Sequence, residues 1–253
     1  MIGDVGRLVE IESPSLDIAA LSQSARELAS IMEQRLGSPA TIVDCVAGPH
    51  VHWVGGGTPK VLIVGHHDTV FPKGALAARP FTVDGDKATG PGIFDMKAGI
   101  VQAIHGVAAL ADKSGVEILI TSDEEVGSVH SRDLIVERAK ACGAVLVLEP
   151  SADGGALKTA RKGTGTFELH VLGRASHAGL EPEKGVNALV EASAQILRIN
   201  TFGNAELGTT VTPTVAVVGT ADNVVPALAK ISIDVRVVEA VERERVDALM
   251  NSL

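Results

Sequence analysis

Between residues 15 and 37, Ile18, Leu21, Ala25, Leu28, Met32 and Leu36 recur at three- and four-residue steps, the spacing of one face of an amphipathic helix. Ser15 is the expected N-cap and Gly37 the stop. TIVDCV and HVHWV then read as paired strands closed by the glycines at 55–57. From residue 60 the pattern alternates: strand KVLIVG (60–65), helix MKAGIVQAIHGVAALAD (96–112), strand VEILITS (116–122), helix SRDLIVERAKAC (131–142), strand AVLVL (144–148). Strands and helices joined by short connections predict right-handed crossovers and a largely parallel sheet covered by helices on both faces.

After about residue 160 the character changes. GTGTFELHVLG alternates apolar and polar positions, GVNALVEASAQILRI is helical, VTPTVAVVG and AKISIDVRV are strands, and VERERVDALMNSL is a closing helix. The order β, α, β, β, α is a split βαβ, ferredoxin-like, without its last strand. The chain therefore divides into an α/β part, 1–160, and an α+β part, 161–253. Neither internal repeats nor low-complexity tracts occur.

Composition removes several classes of function. The chain has 253 residues with a formal charge of -9, and its 22 Lys and Arg are scattered, which argues against a nucleic-acid partner. With no Tyr and one Trp, base-stacking platforms are unexpected. No apolar run approaches the roughly 20 residues of a membrane span, and MIGDVGRLVEIES lacks the pattern of a secretory leader, so no membrane association and a cytoplasmic location are expected. Cys45 and Cys142 lack metal-site or redox spacing and read as buried free thiols.

The polar residues fall at telling places on this map. His66 and Asp68 follow the strand VLIVG, Asp123, Glu124 and Glu125 follow VEILITS, and Glu149 follows AVLVL. Asp95 sits in the glycine-flanked loop TGPGIFDMKAG that opens a helix. In a parallel sheet, chemistry gathers outside the carboxyl ends of the strands. Each element has a plain structural reading: a chance HxD, a helix N-cap at Asp95, a solvated acidic loop, an ordinary strand exit. Together they place one imidazole and at least four carboxylates at one sheet edge. That inventory suits Zn²⁺, alone or as a carboxylate-bridged pair.

In their order, GHHDTV, GPGIFDMKAG, TSDEEVGS and VLEPS resemble the di-zinc metallopeptidase family. That family includes carboxypeptidase G-type glutamate carboxypeptidases, acetylornithine deacetylase, succinyl-diaminopimelate desuccinylase and aminoacylases. GTGTFELHVLGRASHAGLEPEKGVNALVEA is most similar to the glutamate carboxypeptidase branch. The resemblance implies a zinc-binding catalytic domain over 1–160 and a lid and dimerisation domain over 161–253. It implies His66 and Glu149 on one zinc, Asp95 bridging to a second, and Glu125 on that second ion. Glu124 becomes the general base, and Asp68 the residue that fixes the His66 imidazole; His67 is a bystander. Arg161, Thr164, Asn223 and Arg236 match positions that hold a substrate carboxylate or its polar neighbours, and His177 one that reaches into the partner subunit's active site of a homodimer. The implied substrate is a small peptide or N-acyl amino acid with a free carboxylate, a C-terminal glutamate first.

Against the family pattern, the strands and the C-terminal His that follow the lid are missing after Leu253, and the first helix begins late. One zinc per subunit is thus expected to be held firmly where the family holds two. Co²⁺ and Mn²⁺ also suit so carboxylate-rich a set. Two alternatives accompany the carboxypeptidase reading: an N-acyl amino acid deacylase, and a catalytically impaired remnant that only dimerises or binds ligand.

Overall fold

Residues 1–253 are described by a computed structural model, and they divide into two units, Met1–Leu157 and Lys158–Leu253. In the first, α1 (Ile2–Val9) leads through an extended segment to α2 (Ile18–Leu36). The cap of α2 is Asp17, whose carboxylate accepts the Ala20 N–H at 3.0 Å, rather than Ser15. Two residues further on, Asp17 carries the same capping chemistry, which frees Ser15 for another contact. Gly37 ends the helix in the left-handed region, φ 82°, as expected.

β1 (Thr41–Val43), β2 (His50–Val54) and β3 (Val61–His66) follow, then the short helix α3 (Ala75–Ala78) and a hairpin of β4 (Thr82–Asp84) and β5 (Lys87–Thr89). Next come α4 (Ala98–Ala108), β6 (Val116–Thr121), α5 (Arg132–Ala141) and β7 (Ala144–Val147). The sheet order is β1-β2-β6-β3-β7. β6, β3 and β7 run parallel, while β2 is antiparallel to β6 and to β1. Four of the five strands thus point the same way in a mixed sheet.

Alternation along the strands separates the faces. Val51, Trp53, Ile63, Ile118 and Ile120 join Leu8, Leu28, Met32, Ile100 and Ile104 in one buried core beneath α1, α2 and α4. The opposite face is covered less than the pattern predicted. β7 is exposed throughout, and no residue of α5 is buried. Across that face Arg138 of α5 reaches Glu117 of β6, an acid 1% exposed that also meets His52 at 2.9 Å. Cys45 and Cys142 are free and half-buried rather than buried.

In the second unit β8 (Gly163–Leu172), α6 (Ala188–Ile199), β9 (Thr210–Val218), β10 (Leu228–Val237) and α7 (Ala240–Met250) reproduce the split βαβ order. β10 lies between β8 and β9, antiparallel to both. Ile231, Ile233 and Val235 of β10 pack with Ala192, Ile199, Val246 and Met250 from the helices. No helix of the protein is long and apolar enough to cross a membrane.

Candidate metal centre

Register brings the acids together. His66 pairs with Thr121, and Val64 pairs with Val147, so β3, β6 and β7 end at one edge. β3 supplies His66 as its last residue, and the chain past β6 and β7 supplies Glu124 and Glu125, then Glu149. Asp95 arrives from the β5–α4 loop. Gly92, at φ 68°, turns that loop, and a Cβ there would stand 2.6 Å from Thr69 Cγ2. Asp95 and Met96 have non-helical backbone angles, so α4 starts at Ala98 and Asp95 is not its cap.

The His66 ring is the centre of the cluster and is 2% exposed. Its Nδ1 lies 3.0 Å from the Asp68 carbonyl oxygen and 3.4 Å from Asp68 Oδ1, both acceptors, so Nδ1 carries the hydrogen. Nε2 then faces Asp95 Oδ1 and Glu149 Oε1, each at 3.2 Å, and Glu124 Oε2 at 3.9 Å. Ligand atoms of His66, Glu124 and Glu149, and those of His66, Asp95 and Glu125, lie within 4.8 Å of one another. The Asp95 side chain is 56% exposed, so one side of the cluster is open to solvent.

Asp68 is fully buried behind the imidazole. Its Oδ1 accepts the Glu124 N–H and its Oδ2 the Glu125 N–H, each at 3.2 Å, and the Ser15 hydroxyl donates to Oδ2 at 2.8 Å. Burial opposes its charge, but the His66 and Ser15 hydrogen bonds outweigh burial and hold the carboxyl below its usual range. Asp123, first of the three consecutive acids, turns inward instead and accepts the His130 and Ser131 N–H groups at 2.8 and 3.1 Å. It shapes the loop rather than the cluster.

The charge pattern tests whether a cation fits. Burial first, and neighbouring carboxylates after it, push Asp95, Glu124 and Glu125 above their usual values. Burial works against a charge on His66, yet Asp68, Glu149 and Glu124 raise its pKa to about 11. A cluster that raises Asp95, Glu124 and Glu125 and favours a cation at its one imidazole is matched by a divalent ion. One nitrogen with its other nitrogen tied back, plus oxygen donors, is a donor set for Zn²⁺. His67 points away into a buried niche, between Ser24 Oγ and the Pro49 carbonyl at 3.0 Å each, and burial lowers its pKa to about 4.

Arg161, Thr164, His177, Asn223 and Arg236 all lie exposed in the second unit. Thr164 and Arg236 are cross-strand partners, and Arg236 Nε donates to Asp234 at 3.0 Å. His177 bridges to Val224, and the Ala178 N–H donates to the Asn223 carbonyl at 2.9 Å, so His177 and Asn223 are neighbours. His177 Nδ1 accepts two backbone N–H groups, from Gly179 and Leu180, which puts the hydrogen of the neutral ring on Nε2. Arg161 stands in the segment before β8, without a strand partner.

Three residues around the cluster escaped the sequence reading. Ser15 contacts Asp68; Met96 Sδ accepts the His66 N–H at 3.3 Å; and Lys97, 2% exposed, donates to the Leu8 and Ile11 carbonyls. A lysine inside the apolar run after Asp95 was the one available signal.

Residues 159–253 match the family model described as the peptidase dimerisation domain. Carboxypeptidase G2 of Pseudomonas sp. (strain RS-16) is 40% identical over 205 residues, covering 79% of this chain and 49% of that protein. By both matches the chain is similar to M20 peptidases, and residues 159–253 carry their dimerisation domain. A succinyl-diaminopimelate desuccinylase of Stenotrophomonas maltophilia (strain R551-3) is 32% identical over 162 residues, covering 58% of this chain and 43% of that one. The chain therefore spans about half the length of the curated relatives it matches. An M20 family metallo-carboxypeptidase from Sulfolobus solfataricus shares the fold at a TM-score of 0.76 and 16% identity, over 99% of this chain and 75% of that one.

Proposed function

We propose that this chain carries the metal-binding half of a hydrolase that cleaves an amide bond next to a carboxylate, a glutamate carboxypeptidase first. The observation that carries the reading is the His66 ring: Nδ1 tied to Asp68, Nε2 turned toward Asp95 and Glu149 at 3.2 Å. His66, Asp95, Glu125 and Glu149 would hold Zn²⁺, one ion or two. A divalent cation there supplies the positive charge that makes water acidic and polarises a carbonyl.

The protein's own groups do the rest. Glu124 reaches the cluster with its pKa raised by burial, which makes its carboxylate a better acceptor for a proton from water, to be returned to the leaving amine. Asp68 keeps the His66 hydrogen on Nδ1 and fixes the backbone of Glu124 and Glu125. In the second unit Arg161 and Arg236 would offer guanidinium forks to a substrate carboxylate, with Thr164 opposite Arg236 across the sheet, while Asn223 stands beside His177. His177, with its hydrogen on Nε2, would donate to a developing oxyanion. The dimerisation-domain match supports a homodimer through residues 159–253.

Zinc content per chain, measured without added metal beside a Glu149→Ala control, tests the site. About one or two ions, lost in the control, are the expected result, with hydrolysis of acyl-glutamates following. No zinc in either protein refutes the metal site in this chain. The similarity to a desuccinylase supports a second reading, deacylation of N-acyl amino acids; faster turnover of N-succinyl than of glutamyl substrates would select it.

A further inference from the structure

Ser13, Pro14 and Ser15 run beside the segment that carries His66 and Asp68. Pro14 forms a parallel bridge with Thr69. The Thr69 N–H donates to the Ser13 carbonyl at 2.9 Å and the Ser15 N–H to the Thr69 carbonyl at 3.2 Å. The Ser13 hydroxyl donates to the His67 carbonyl at 2.6 Å. Ser15 has one hydroxyl hydrogen and two acceptors in reach: Asp68 Oδ2 at 2.8 Å and the Thr69 carbonyl at 3.4 Å. The shorter distance and the charged acceptor decide for the carboxylate.

That bond is the shortest of those Asp68 makes. Each of its oxygens accepts one amide at 3.2 Å; Oδ1 faces His66 Nδ1 and Oδ2 has the Ser15 hydroxyl. The His66 hydrogen goes to the nearer Asp68 carbonyl, so the carboxylate's own donors are the two amides and the Ser15 hydroxyl. With Asp68 fully buried, solvent has no direct access to a direction left vacant. The turn after Ser15 is held from both sides: Leu16 has φ 69°, a region uncommon for leucine, between the anchored Ser15 and the capping Asp17.

We propose that Ser15 is a positioning residue of the metal centre, acting through the Asp68 carboxylate to set where the His66 ring and the Glu124 and Glu125 backbone stand. Losing the hydroxyl leaves a buried lone pair that the carboxylate regains only by turning, and both amides and the imidazole move with it. The inference rests on the metal reading for its effect on affinity, but its geometric part stands without an ion.

The test uses Ser15→Ala and Ser15→Thr in the purified protein with two readouts. The first is zinc affinity by competition with a chromophoric chelator; the second is deuterium exchange at the Glu124 and Glu125 amides without metal. Ser15→Ala is expected to weaken zinc by roughly tenfold, the lower end for groups that orient a ligand. It is also expected to speed exchange at those two amides while β6 stays protected, and Ser15→Thr to restore both. Wild-type affinity and exchange in Ser15→Ala overturn the proposal, as does an equal defect in Ser15→Thr, which would indicate packing rather than the hydroxyl. Should Ser15→Ala fail to fold, Ser15→Cys, with its weak donor, is expected to give intermediate exchange; wild-type exchange there overturns the proposal. A wild-type chain that takes up no zinc removes the metal reading alone, and the exchange data still decide the role of Ser15.

Discussion

Gly99, in the first turn of α4, faces the Leu148 carbonyl so closely that a Cβ on it would stand 2.1 Å from that oxygen. The contact presses the helix onto the peptide just before Glu149. Gly99→Ala would gain helix propensity, but backbone must move to admit the methyl. We expect a net loss of about 1–3 kcal/mol, the usual range for overpacking, and a fall in zinc content as Glu149 is displaced. Thermal unfolding and metal analysis check this; a variant with unchanged melting temperature and zinc would show that the loop yields freely.

Asp68→Asn keeps shape and loses acceptors. Its amide nitrogen must face one of the Glu124 or Glu125 N–H groups or the Ser15 hydroxyl, whichever way it is turned. A drop of about ten- to a hundredfold in zinc affinity is expected. Titration against a chelator measures it, and an affinity equal to wild type would rule out a role for this carboxylate.

Lys97→Met retains the aliphatic stem but leaves the Leu8 and Ile11 carbonyls without their donor. Burial already lowers the Lys97 pKa to about 8, so the ammonium is held only by these two oxygens and the more distant Glu12. The lost bonds predict destabilisation of about 1–3 kcal/mol, read as a lower urea midpoint. A higher midpoint would mean that the charge costs more than its bonds return.

Acid sensitivity in the second unit should centre on Glu242. Arg245 first, and the Thr209 hydroxyl after it, lower its pKa from 4.5 to about 2. A depressed carboxyl adds stability above the unfolded value, and that stability drains away as pH falls from about 4.5 toward 2. Unfolding of wild type should therefore weaken more steeply through that window than unfolding of Glu242→Gln. Parallel pH profiles would refute the assignment.

Much of this was legible because parallel strands put their carboxyl ends on one edge: once β3, β6 and β7 were recognised, His66, the acids at 123–125 and Glu149 had to be close. What the sequence hid were effects of competition and of tertiary cover. Ser15 and Asp17 are both good caps, and only the path of residues 13–15 along Thr69 decides between them. Apolar periodicity could not show that Asp123 turns inward while its two neighbours face the cluster. The β4–β5 hairpin went unread because its strands are three residues long, although Asp84-Gly85 is a turn signal. β7 looks internal by composition, yet its side chains are exposed.

Asp68 binds partners 53 residues back along the chain and 56 and 57 residues ahead. Contacts of such separation close long loops and form only after that entropy has been spent. The β3–β6 pairing that sets His66 opposite Thr121 spans the same distance along the chain, so the pocket closes together with the sheet that carries it. A substitution that weakens that pairing is therefore expected to lower the yield of metal-competent molecules without touching a ligand.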